Sequence, residues 1–302
     1  MKIFKEEVKI KKATPEDFEK VINVITNAFD EEGNQEEQYL KSKNKFEYLF
    51  KNNWGLEEDH IGYKLEKADG EIVGFWSCIF SVRQINGKEH KVCNFSTWAV
   101  KKNYRNYSLL LTKAVNDLKD YSLTILSSDE TSLEVFTKLY KFKPLEENLI
   151  IIPPLPPIRS SGISGYIFFS GKDSPPPILK DDHKQLFSDH RKFNASFLLV
   201  NEGKDYCFFI LKKRKMKHLP FAYMFYMSNP EIFWRHIAEI RYRVNKQLKT
   251  FALIGEERKF RFGRPFFSFK KALPRPFLYK SKDLGPEDLD GLYSEYFLIK
   301  NL

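Results

Sequence analysis

Two dipeptides, Asp69-Gly70 and Asn86-Gly87, bracket the apolar run EIVGFWSCIFSVRQI. Such pairs mark two-residue hairpin turns, because the tight turn needs positive φ at its centre. They fix three strands in series, over 60–68, 71–85 and 91–100. The third strand ends in WAVKKNYRNYSLLL, residues 98–111. There an apolar strand end runs into a short basic stretch and then into a leucine block. A helix is expected over 104–120, with Leu109, Leu110, Ala114, Val115 and Leu118 on its apolar face. A buried strand over 123–127, a helix over 130–140 and a strand over 149–152 complete the run.

Upstream, residues 8–13 alternate as a half-buried strand does. Thr14 then precedes Pro15, Glu16 and Asp17, a helix start with proline in the first turn. That helix reaches about Phe29. The acidic stretch 30–38 reads as loop and 46–50 as a short helix. Residues 153–165, PPLPPIRSSGISG, have the composition of a linker. Beyond them the pattern repeats: strands over 197–200, 206–211 and 220–227, a turn at Glu202-Gly203, a helix from Asn229-Pro230 to about 249, and a strand over 251–255. The same order at similar spacing indicates a duplicated fold, with halves at 1–152 and 166–302.

At 302 residues, with 42% hydrophobic and 30% charged, the chain can bury a large core. Its formal charge of +10 favours an anionic partner: nucleic acid, a membrane surface or a phosphate-rich cofactor. The lysines are spread through the chain, which a plain solvated surface also explains. Cys78, Cys93 and Cys207 sit in apolar strands without metal-ligand spacing and read as buried thiols. No metal site is expected: the histidines pair with nothing that spells a ligand set or a triad. The start MKIFKEEVKIKKA lacks an apolar stretch of signal length, and no apolar run is long enough to span a bilayer, so a cytoplasmic protein is expected.

The order β-α-α-β-β-β-α-β-α-β over 8–152 resembles the GNAT superfamily of acyl-CoA-dependent N-acetyltransferases. Local likenesses are DGEIVGF at 69–75, residues 98–111 and FTKLYKFKPL at 136–145. The resemblance implies an α/β (α+β) fold: a mixed central sheet flanked by helices, here duplicated as two GNAT-like halves, the second degenerate. It also implies an acyl-CoA donor, acetyl-CoA or another, held by a pyrophosphate loop of the form Arg/Gln-x-x-Gly-x-Gly/Ala after the fourth strand. Tyr104-Arg105 is kept, while Asn106 and Ser108 stand where the glycines would be. Asn tolerates positive φ better than other non-glycine residues, and Ser is small enough to approach a phosphate. The donor-binding residues implied are Trp98, Ala99, Val100, Arg105, Asn106, Tyr107, Ser108 and Leu109.

For the reaction, the resemblance implies acyl transfer to the amine of a small acceptor, such as an amino sugar. A tyrosine of the last helix protonates the departing thiolate in a Tyr-x-x-x-Gly-Phe pattern. The matching place here is Thr137, and Tyr140, one turn on, is the candidate acid. No carboxylate stands where the family's base would be. Asn94 and Ser96 are the candidates there, expected by alternation to share a face with Trp98. Two other readings stay open. One is a tandem aminoacyl-transferase fed by charged tRNA, although the first reading expects no nucleic-acid partner. The other is a binding protein on a decayed scaffold. Oligomeric state is not legible.

Overall fold

A computed structural model describes residues 7–29, 35–50, 54, 60–156 and 165–298. Twelve strands form one sheet in the order β1-β2-β3-β4-β5-β12-β6-β11-β10-β9-β8-β7. In the first half these are β1 (Val8–Ala13), β2 (Gly62–Lys67), β3 (Ile72–Ile85), β4 (Lys88–Val100), β5 (Ser122–Ile125) and β6 (Lys143–Ile152). The second half supplies β7 (Gly165–Ser170), β8 (Ser196–Glu202), β9 (Asp205–Met216), β10 (Leu219–Met227), β11 (Ala252–Glu256) and β12 (Phe269–Lys280). The helices are α1 (Phe18–Ala28), α2 (Gln35–Phe50), α3 (Ser108–Leu111), α4 (Ala114–Asp117), α5 (Glu130–Glu134), α6 (Asp181–His190), α7 (Pro230–Leu248) and α8 (Glu295–Leu298).

The strand order is the same read from either end, once each strand is exchanged for its counterpart six places along. Among the described residues only β4–β5 and β10–β11 pair in parallel within the ladders. The last strand of each half crosses over: β12 lies between β5 and β6, and β6 lies between β12 and β11. The duplication inferred from spacing is therefore present in the sheet, and each half's sheet is completed by a strand from the other. Most of the linker, 157–164, lies outside the described residues. No helix among the described residues is long and apolar enough to cross a membrane.

The two faces differ. On one, α1, α6 and the C-terminal segment share a core that includes Val21, Ile25, Phe187, Phe208, Phe225 and Phe297. On the other, the first half packs Leu111, Val115 and Phe136 against Trp76, Phe95 and Ile125. The second half packs α7 there, through Ile232, Phe233 and Val244. The three cysteines are free and buried.

Several elements depart from the sequence reading. The helix expected over 104–120 is broken into a 3-10 stretch, Lys102–Tyr107, followed by α3 and α4. At the break Thr112 turns its hydroxyl back to Leu109 O at 2.7 Å, a local bond that competes with helix continuation. Asn106 lies in that 3-10 stretch and is not among the residues with positive φ, so the left-handed turn expected there is absent. α2 begins at Gln35, inside the stretch read as loop. In β12, residues 273–276 bulge out of the ladder between Ala272 and Phe277. Two of the four are Pro274 and Pro276, which have no N–H to offer a partner strand.

Gly62 opens β2 at φ +147°, and a Cβ built there would stand 2.1 Å from Trp76 O on the neighbouring strand. Gly62→Ala must push two paired strands apart. We expect a loss of about 2–3 kcal/mol, read as a lower urea midpoint with an unchanged slope.

Candidate active site

β4 and β5 run together only from Val92–Ser122 to Phe95–Ile125. At that point β4 bulges: Ser77 of β3 faces two residues of β4, Ser96 and Thr97. β5 ends, while β4 continues to Val100 with a neighbour on the β3 side alone. The gap opens a cleft of about 980 Å³. The free stretch of β4 forms one wall, and the segment from Ser127 through α5 to Phe136 forms another. Ile25 and Ala28 of α1, Phe29 just beyond it and Phe46 of α2 approach from the opposite face of the sheet. The cleft thus passes through the sheet where the strands part.

The bulge changes which side chains share a face. Trp98 sits over Trp76, ring centroids 5.7 Å apart, and Trp76 stacks on Phe95 at 4.0 Å. Phe95 and Trp98 therefore lie on one face and Asn94 on the other, so the expected grouping of Asn94, Ser96 and Trp98 is wrong. The alternation loses a step at Ser96-Thr97. Asn94 is buried and donates to Thr124 Oγ1 at 3.0 Å, away from the cleft lining.

Of the residues singled out from sequence, Ser96, Trp98, Ala99, Val100, Arg105 and Ser108 line the cleft. Asn106, Tyr107 and Leu109 do not; Leu109 is 54% exposed. Tyr140 also stands off the lining. Its hydroxyl lies 2.6 Å from Thr112 Oγ1. Because that Thr112 proton already goes to Leu109 O, the phenol is the donor of the pair. Arg105 is exposed at the mouth and makes no ion pair among the described residues. The 3-10 stretch has no side-chain cap and runs straight into α3, where Ser108 N already donates to Arg105 O, so what this end of the cleft offers an anion is the Arg105 guanidinium and the Ser108 hydroxyl.

Among the described residues, three buried polar atoms of the cleft walls have no hydrogen-bond partner: Trp98 Nε1, Ser128 Oγ and Glu295 Oε2. Buried polar atoms are ordinarily bonded, and each one left unmade costs about 1–3 kcal/mol. Three converging on one cavity point to a polar ligand there. Asp129 stands just before the helix expected over 130–140 and caps it, its Oδ1 accepting from Ser132 N at 2.7 Å. Glu295 was not legible. It comes from the far end of the chain and accepts from Ser127 Oγ at 2.6 Å.

The matching place in the second half is built differently. β10 passes β11 with an irregularity between Met224 and Tyr226, as β4 does past β5. There Lys259, at the place of Asp129, donates to Phe225 O at 2.5 Å and pairs with Glu256 at 3.1 Å. Its ammonium covers the carbonyl edge that is open in the first half. The start of α7 is closed as well: Asn229 Oδ1 accepts from Glu231 N and Ile232 N at 3.1 and 3.2 Å.

No protein-family model matches the chain, and no curated protein sequence matches it. Solved structures do. A GCN5-related N-acetyltransferase from Anabaena variabilis ATCC 29413 superposes with a TM-score of 0.55 at 9% identity, covering 90% of this chain and 72% of that one. A conserved Enterococcus faecalis V583 protein of unknown function, named a probable N-acyltransferase, gives 0.54 at 12% identity, with 93% and 74% covered. A GCN5-related N-acetyltransferase from Kribbella flavida gives 0.50 at 9%, with 91% and 71% covered. At such identities the likeness is one of architecture, and the fold of this chain is that of the GCN5-related N-acetyltransferases.

Proposed function

We propose that the protein is an N-acyltransferase that takes its acyl group from an acyl-CoA bound in the first-half cleft and passes it to a small amine. The observation that carries this reading is the parting of β4 from β5, with the exposed Arg105 at one end and three unpartnered buried polar atoms in the walls. In this reading the Arg105 guanidinium and the Ser108 hydroxyl hold the diphosphate. The free edge from Ser96 to Val100 offers backbone groups to the pantetheine arm, as a strand would. The amine enters from the α1 and α2 face. One donor binds per chain, because Lys259 and Asn229 fill the equivalent positions of the second half.

The thiolate that leaves needs a proton. Tyr140 supplies it in this reading: its ring lies 6.1 Å from that of Phe136 in the wall, and its hydroxyl turns from Thr112 Oγ1 into the cleft to reach sulfur. The test is release of free thiol from acetyl-CoA and longer acyl-CoAs with a panel of small amines, amino sugars included. Tyr140→Phe keeps donor affinity and lowers kcat by roughly 100-fold, the usual scale for one positioned acid. Wild-type kcat in Tyr140→Phe removes the phenol from the mechanism. Release with no acyl-CoA removes the reading itself.

A further inference from the structure

The C-terminal segment leaves β12 and returns across the sheet to the first half. Asp290 pairs with Arg83 of β3 at 2.5 Å, and Asp288 accepts from Asn86 Nδ2 at 3.0 Å. Lys212 of β9 donates to Phe297 O, and the backbone of Leu292 meets His190 Nε2 at 3.2 Å. These contacts fix α8 against the cleft from the side of α1 and α2. They place one carboxyl, that of Glu295, in its wall.

We infer that Glu295 is the general base of the transfer, accepting the proton of the attacking amine on Oε2. The inference rests on the acyltransferase reading. The geometry carries it. Glu295 lines the cleft and is 2% exposed, its Oε1 is held by Ser127, and its buried Oε2 has no hydrogen-bond partner among the described residues. An oxygen so placed has its free lone pairs available to whatever enters. Asp129, the other carboxylate of the wall, is already used as the cap of α5.

The chemistry balances without an outside reagent. The nitrogen lone pair forms the new C–N bond at the thioester carbonyl. The N–H bond breaks, and its proton passes to Glu295 Oε2. The C–S bond breaks with its electron pair on sulfur, which takes the proton of Tyr140. Solvent then carries the proton from Glu295 back to Tyr140.

Burial raises the Glu295 carboxyl to about 7, so it can both take and release a proton near neutrality. The cation facing it is Arg214 of β9, which lowers it. The other charged groups of the cleft are Lys41 of α2, Arg105 and Asp129. Tyr296, next to Glu295, carries the ring over which Arg214 lies at 4.6 Å.

Glu295→Gln in the full-length protein is the test, with acetyl-CoA as donor and either glucosamine or water as acceptor. We expect kcat to fall about 100-fold or more. The rise of the rate with pH through neutrality disappears, and calorimetric affinity for CoA stays as in wild type. Glu295→Asp, shorter by one carbon, recovers part of the rate and the pH-dependent rise. A Gln variant with wild-type rate and pH profile overturns the inference and leaves the donor site standing. A wild-type protein that binds no CoA overturns both. A Gln variant that has lost CoA affinity and the folded thermal transition shows a structural carboxyl, which also overturns it.

Discussion

Asp290→Ala is expected to cost about 3–5 kcal/mol of stability, the scale for removing one partner of a buried ion pair. Arg83 keeps its charge, and its side chain is 7% exposed. Without Asp290 the guanidinium is left with tyrosines beside it, the Tyr293 ring at 5.1 Å and Tyr226. An aromatic face returns only about 2 kcal/mol of a desolvated cation's loss. Replacing both partners by apolar residues of similar size recovers most of the stability, because the buried cation goes too. The pair also sets the sign of the pH dependence. Arg83 holds the Asp290 carboxyl below its ordinary value, against burial that would raise it. The stabilisation is therefore full above about pH 4, the unfolded value, and is lost as pH falls through the lower folded value. Turnover falls with it, since Asp290 anchors the segment that carries Glu295. Urea midpoints of the single and double variants check the account.

Arg105→Glu is the second large effect. A charge-assisted bond to phosphate contributes about 1.5–3 kcal/mol, and reversal adds repulsion, so donor affinity falls at least about 10- to 100-fold. Arg105 is exposed, so the loss shrinks as salt rises. Arg105→Gln loses less, because it removes the attraction without adding repulsion. Stability is unchanged in both, since Arg105 makes no ion pair among the described residues.

Much of this architecture was legible because local signals agreed with the fold. The turns at Asp69-Gly70 and Asn86-Gly87 set β2, β3 and β4, and both glycines take the positive φ those turns need. The repeated order disclosed the duplication. The misses have physical reasons. β6 starts at Lys143, not 149, because its first six residues, KPLEEN, carry three charges and half of them are exposed, which hides the strand pattern. β12 hides behind two prolines that sit in its bulge. α6, DDHKQLFSDH, buries only three side chains and shows little apolar periodicity. The turn after Tyr140 is left-handed at Lys141, φ +59°, where glycine is the usual choice. In the site, strict alternation misplaced Asn94, because a bulge leaves no mark in the pattern of side chains. Glu295 could not be read at all: only the return of the C-terminal segment brings it beside Ser127.

The central claim is one acyl-CoA site per chain, at the parting of β4 and β5. Calorimetric titration of acetyl-CoA and CoA into the wild-type protein and Arg105→Glu tests it most directly. The account predicts one molecule bound per chain in the wild type and at least tenfold weaker binding in the variant. No binding, two sites per chain, or equal affinity in the two proteins would contradict it.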